Sequence, residues 1–230
     1  MATTTIYATT GLTGRGFIQA QNEEWDEAVA ADSGTVSSNS SNSLGVRAGF
    51  VEGRGGGQFF VSRAYAYFDT SAVTTTVTAA TVKVYSSGTN GGNIRMYKST
   101  AFGNNGSTLS SDDFPAVTST LYSSADYGEL NWGTNQLRSF SCNATAVSNI
   151  NDVNYLNVVF RNDKDVDEDE PGEDFYLGVN FLTSGTNRIQ IQLTHADAGY
   201  GNQVNTVTAA KISNVVGVAT ANIANVIGVS

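Results

Sequence analysis

The sequence predicts an all-β protein, a jelly-roll β-sandwich with a C-terminal β-type extension, on three observations. Eight or more short segments alternate apolar and polar residues between clusters of Gly, Asn and Ser. The composition suits strands and turns: 24 Gly but 2 Pro, charged residues at only 14%, and abundant Thr, Ser and Asn. The 11 Phe, 10 Tyr and 2 Trp need a core, which argues against disorder, and 230 residues commonly make one sandwich.

Taken in order, residues 5–8 form a first short strand, Gly11, Gly14 and Gly16 punctuate turns, and Phe17 and Ile18 open a second strand. Residues 22–31 (NEEWDEAVAA) predict one amphipathic turn, or a loop that buries Trp25. Residues 32–44 are too polar for a core and read as an exposed loop or edge segment, and 46–50 is a strand. The run EGRGGG at 52–57 is a turn. Gly53, Gly55, Gly56 and Gly57 precede no Gly-Lys-Ser/Thr, which a phosphate loop requires.

Residues 59–86 organise the rest. Phe60, Ala64, Ala66 and Phe68 fall on one side of a strand, predicted inward; Arg63, Tyr65, Tyr67 and Asp69 fall on the other, predicted outward. After the polar run 70–76, Ala80, Val82 and Val84 face in and Thr81, Lys83 and Tyr85 face out. Turn residues at 86–93 lead to a strand at 94–98. Residues 99–136 lack periodicity but carry Phe102, Phe114, Tyr122, Tyr127 and Trp132, the pattern of a functional or interface loop set. A strand end at 137–140 is followed by Ala144, Val147 and Ile150, spaced for a short helix across the end of the sandwich. Three clean strands close the pattern: Leu156, Val158 and Phe160; Phe175, Leu177, Val179 and Phe181; and Ile189, Ile191 and Leu193, with Gln190, Gln192 and Thr194 outward.

The formal net charge of −9 and a pI near 4.4 repel phosphate backbones and anionic headgroups, so neither nucleic acid nor membrane is an expected partner. No apolar run reaches membrane-spanning length. The opening MATTTIYATTGLTGRG has no basic start and apolar core, so synthesis in a cytoplasm without a Sec signal is expected, with release by another route such as lysis. Cys142 is the only cysteine, excludes an intrachain disulfide and reads as a small buried residue.

Catalytic chemistry finds little purchase. His195 is the only histidine; with Asp197 nearby it still lacks a positioned serine elbow, and one histidine makes no metal cluster. Glu23, Glu24 and Asp26 have nothing to fix a carboxylate separation. The chain is therefore expected not to be an enzyme. Asp163, Asp165, Asp167 and Asp169 form an every-other-residue carboxylate ladder that a Ca²⁺ with six to eight oxygen ligands would suit; the alternative is a solvated acidic loop. Tyr65, Tyr67, Tyr122, Tyr127 and Trp132 suit either flat platforms for a glycan or anchors of a subunit interface.

The run Arg63-x-Tyr65-x-Tyr67-Phe68-Asp69-Thr70-Ser71 resembles the R-x-x-x-x-FD-x-S hallmark of DNRLRE-type domains. Ala79, Ala80 and the strand at 82–85 are similar to the A-x-L-x-x-Y that follows it in that family, and the likeness covers roughly residues 45–196. It implies a jelly-roll sandwich shaped like a carbohydrate-binding module, of a kind found on bacterial surface proteins and in phage structural proteins. The N-terminal third lacks the family's usual opening, so the resemblance carries a fold and not a ligand.

The end of the chain differs in kind. ISNVVGV at 212–218 returns as IANVIGV at 223–229, and the repeat resembles the Gly-Val tails that close many phage virion proteins. The expected organisation is a sandwich over 1–196, a linker over 197–211 and an assembly arm over 212–230. Ile212, Val215, Val218, Ile223, Val226 and Val229 would supply apolar contact to a second copy of the chain or to other virion proteins. The alternative is two further strands of the same sandwich. These readings point to a non-enzymatic virion structural protein of a tailed phage, an accessory capsid, head-fibre or tail component. The rival expectation is a carbohydrate-binding module for host or extracellular glycans.

Overall fold

A computed structural model describes residues 1–38, 45–53, 56–123, 127–128, 132–180, 185–186, 188–197, 214–215 and 218–219. In chain order the elements are β1 (Ala2–Tyr7), β2 (Arg15–Asn22), α1 (Trp25–Val29), β3 (Thr35–Ser37), β4 (Val46–Gly53), β5 (Gly56–Asp69), β6 (Val77–Thr89) and β7 (Asn93–Ser99). A 3-10 turn at Ser111–Asp113 precedes β8 (Val117–Leu121), β9 (Tyr127–Gly128) and β10 (Thr134–Ser141). Then come α2 (Ala144–Val153), β11 (Tyr155–Asn162), α3 (Asp163–Asp167), β12 (Asp174–Asn180), β13 (Gln190–His195), β14 (Asn214–Val215) and β15 (Val218–Ala219).

The fold is an all-β sandwich of antiparallel strands, as the sequence predicts. Two long strands organise it. In the front layer β6 is flanked by β10 on one edge and by β13 on the other, with β1 beyond β13. In the back layer β5 has β2 and then β3 on one edge, with β4 and β11 end to end on the other; β7 and β8 continue from β11. β12 changes layers, pairing β4 through Phe175↔Ala48 and β6 through Val179↔Ser86, and so stitches one corner shut. Gly91 and Gly92, at φ 108° and 80°, make the turn from β6 to β7 in a backbone region that side chains resist.

Between the layers lies the main core. β6 contributes Val82 and Val84, β13 Ile191 and Leu193, β5 Ala64, Ala66 and Phe68, and β11 Leu156, Val158 and Phe160. The alternation in β6 and β13 thus sorts inside from outside as the sequence indicates, because only one face of that layer is covered; the exception is Gln190, predicted outward but 7% exposed, with its side chain bonded to Thr186 O.

The back layer departs from expectation. A second core of Ile18, Phe59, Val61, Tyr65, Tyr67 and Val159 covers its outer face, against Trp25 and Ala28 of α1 and against Phe102, Leu109 and Phe114 of the connection after β7. Arg63 and Tyr65, predicted outward, are 3% and 0% exposed, and Tyr67 is buried as well. Asp69 alone of that face is exposed; its Oδ1 accepts the Ser71 backbone N–H at 2.9 Å and closes the turn after β5.

α2 crosses the end of the sandwich where the sequence places it, though the residues it buries fully are Ala146 and Ile150, one helical turn apart, while Ala144 is exposed. Its N-cap is Asn143, whose Oδ1 accepts from Ala146 N at 3.0 Å while Nδ2 donates to Leu121 O at 2.7 Å. Asn143→Ala is expected to cost about 1 kcal/mol, read as a lower urea midpoint at unchanged slope.

Candidate functional sites

The structure turns most of the predicted aromatic platform inward. Tyr65 donates from its hydroxyl to Phe114 O at 2.8 Å, and burial pushes its pKa well above the ordinary phenol range. Tyr67 stacks on Tyr155 at a centroid distance of 5.6 Å and donates to Asn104 O at 3.3 Å. Trp132, fully buried, donates from Nε1 to Gly178 O at 3.0 Å. Tyr122 is 1% exposed, and burial pushes its phenol up to about 12. Tyr127 pairs through its backbone with Ile94. Tyr65, Tyr67, Tyr122 and Trp132 therefore form no exposed platform. A period of two separates the faces of a strand, but it does not say which faces another segment covers.

The carboxylate ladder is corrected too. Asp163, Asp165 and Asp167 belong to a helix, on which residues two apart point away from one another. Each finds its own partner. Asp163 accepts from Asn93 N at 3.0 Å and Asn93 Nδ2 at 2.7 Å, Asp167 pairs with Arg95 at 2.9 Å, and Asp169, beyond the helix, pairs with Lys164. Among the described residues no group of three or more His, Cys, Asp or Glu is placed to hold a metal ion.

Asp165 is the centre of the arrangement, with no solvent exposure. It receives Arg63 Nη2 at 2.7 Å and Nε at 2.9 Å from β5, and Arg161 Nε at 2.8 Å and Nη2 at 3.0 Å from β11. Arg63 also donates to Phe114 O and Val29 O, both at 3.0 Å, with its guanidinium 4.0 Å from the Phe114 ring centroid. Burial alone would raise the Asp165 pKa, but the charge and hydrogen bonds of Arg63 and Arg161 overcome it and hold the carboxyl below its usual range. This cluster ties β5, β11, α1, α3 and the 3-10 connection together; its work is to close the second core.

The other sequence candidates remain apart. His195 lies between two threonine hydroxyls, Thr4 at 2.9 Å and Thr75 at 2.8 Å, with Nδ1 also 2.9 Å from Ala196 O, and among the described residues no carboxylate bonds to its ring. Glu23, Glu24 and Asp26 are exposed around the start of α1. Burial pushes the Cys142 thiol up to about 12, so it stays protonated and inert near neutral pH. Gly53 and Gly56 face each other across the β4–β5 hairpin.

One cleft has the character of a site. It opens where β7 parts from β11, beyond the last register pair Lys98↔Val158. Its volume is about 190 Å³, and its lining includes Lys98, Asn104, Tyr122, Asn149, Tyr155 and Asn157. Asn157 is 3% exposed, yet neither Oδ1 nor Nδ2 has a hydrogen-bond partner. Sequence reasoning passed it over. The available signal was a lone amide inside YLNVVF, a strand otherwise apolar through its centre.

Of the proposed arm, β14 and β15 pair with each other through Val215↔Val218 and Asn214↔Ala219, and among the described residues they form a two-stranded sheet separate from that of the sandwich. Ile212, Ile223, Val226 and Val229, the linker beyond Asp197, and Phe181 lie outside the described residues. No helix among the described residues is long and apolar enough to cross a membrane. No protein-family model matches the chain and no curated protein matches it.

Proposed function

We propose that this chain is a non-enzymatic structural protein of a tailed-phage particle, an accessory capsid, head-fibre or tail component that docks through its C-terminal arm. The observation that carries the reading is the apolar repeat of 212–218 in 223–229. Pairing of β14 with β15 in a two-stranded sheet of their own supports an arm over two further strands of the sandwich. A two-stranded sheet is marginal in water by itself, and a second copy or another virion protein would complete it.

The test compares the full chain with one ending at Ala210 by light scattering after size exclusion. A defined homo-oligomer that falls to a monomer on truncation is expected. The same number of chains per particle in both forms overturns the arm as a contact between copies of this chain.

A second reading, a carbohydrate-binding module, is favoured by the cleft between β7 and β11. Of the aromatic residues first considered for a glycan, Tyr122 lines it.

A further inference from the structure

We propose that the cleft between β7 and β11 binds one neutral, hydroxyl-rich unit, a single saccharide residue or a polyol of that size, with the Asn157 amide as its recognition group. The inference rests on the second reading above and is independent of the arm.

Asn157 carries the argument. A buried amide that satisfies neither its donor nor its acceptor is a persistent cost to the folded chain, and native proteins seldom leave one so. Both ends are orphaned together, which selects the chemistry of the occupant. An anion offers acceptors only: it would satisfy Nδ2 and set its charge against Oδ1. An amine would satisfy Oδ1 and leave Nδ2 bare. Neighbouring hydroxyls each donate and accept, so one vicinal pair completes both ends at once.

The remaining lining agrees. Tyr155 donates to Asn104 Oδ1 at 2.8 Å, which turns its hydroxyl oxygen into an acceptor for the ligand. Lys98 reaches Asn149 Oδ1 only at 3.5 Å, a loose bond that leaves ammonium hydrogens for a further ligand oxygen. Among the described residues no carboxylate lines the cleft. Size separates a ligand from a bridging water. A cleft of about 190 Å³ is more than ten times the roughly 10–15 Å³ that a single water needs. That is far more than one amide needs and suits one sugar ring rather than a chain of them.

The test is saturation-transfer NMR of the full chain with free hexoses, N-acetylhexosamines, their methyl glycosides and a linear polyol, with inorganic phosphate as the anionic control. Binding of at least one hydroxyl-rich probe is expected, weakened tenfold or more in Asn157→Leu. That variant should melt no lower than the natural chain, since it removes two orphan groups at nearly constant shape. Lys98→Ala, at the rim, should weaken the same probe several-fold and answers the question should the leucine variant fail to fold.

Preference for methyl glycosides over free sugars marks the terminal unit of a glycan as the source, and equal binding of both marks the free sugar. Binding of phosphate alone, binding unchanged in both variants, or no binding by any probe overturns the proposal. Retention on immobilised polysaccharide tests the module reading separately: a cleft that takes free sugars without such retention keeps this inference and removes that reading.

Discussion

Asp165→Asn is expected to destabilise the protein by about 3–5 kcal/mol, because it leaves two guanidinium groups facing a neutral amide inside the second core. Arg63 is only 3% exposed and cannot turn to water, and the substituted amide presents hydrogens where the carboxylate accepted four hydrogen bonds. Chemical unfolding reads the loss as a lower midpoint at constant slope. Asp167→Asn is the control: its pair with Arg95 is more than half exposed on the carboxylate side, so a change below about 1 kcal/mol is expected.

The same carboxylate gives a pH signature. Its folded pKa lies below its unfolded value, near 3.9 for an ordinary aspartate, so its contribution is complete above that value. The contribution fades as pH falls through the lower, folded pKa. The stability gap between the natural chain and Asp165→Asn should therefore be flat from neutrality down to about pH 5 and narrow only in stronger acid. A gap that closes between pH 7 and 5 would place the stabilising charge elsewhere.

Trp132→Ala is the second large effect, about 3–5 kcal/mol from an indole with no solvent exposure in the main core. Trp132→Phe separates the two things the residue does. Most of the bulk stays against Phe140, at 6.4 Å between ring centroids, while Gly178 O loses the indole donor, for about 1–3 kcal/mol. Trp25 supplies the contrast. It is equally enclosed, at 3% exposure, but its Nε1 has no partner, so Trp25→Phe loses no hydrogen bond and should cost less than Trp132→Phe. If the two phenylalanine variants melt together, the bond to Gly178 contributes nothing.

The front layer was legible in the sequence because one of its faces is covered and the other is largely open. β6 and β13 alternate, and apart from the buried Gln190 their inward residues are the ones the period picks out. β5 and β11 show the limit of the same rule. Val159 and Tyr65 point away from the main core into a second one, made by the aperiodic stretch after β7 and by α1. Nothing local marks that covering, since Phe102 and Phe114 stand among Gly, Asn, Ser and Asp. The pairing role of Asp165, as against a place in the carboxylate ladder, was hidden for a related reason. Its partner Arg63 is 102 residues away, and a carboxylate in an acidic run looks solvated until the arginine is brought to it. Asn157 escaped notice because a single amide in a strand is ordinary; only its enclosure without partners makes it stand out.

The pairing of β1 with β13 sets a clock for folding on the ribosome. Thr4 meets His195 across 191 residues of chain, and at about 5–20 residues per second that interval lasts ~10–40 s. Throughout it, β1 has no strand to bond to, and of its six residues only Ile6 and Tyr7 are large and apolar, which keeps a waiting strand from seeding aggregates. The front layer is completed from its far end: the first strand synthesised becomes usable only when the last strand of the sandwich emerges, so truncation within β13 strands both ends of the layer at once.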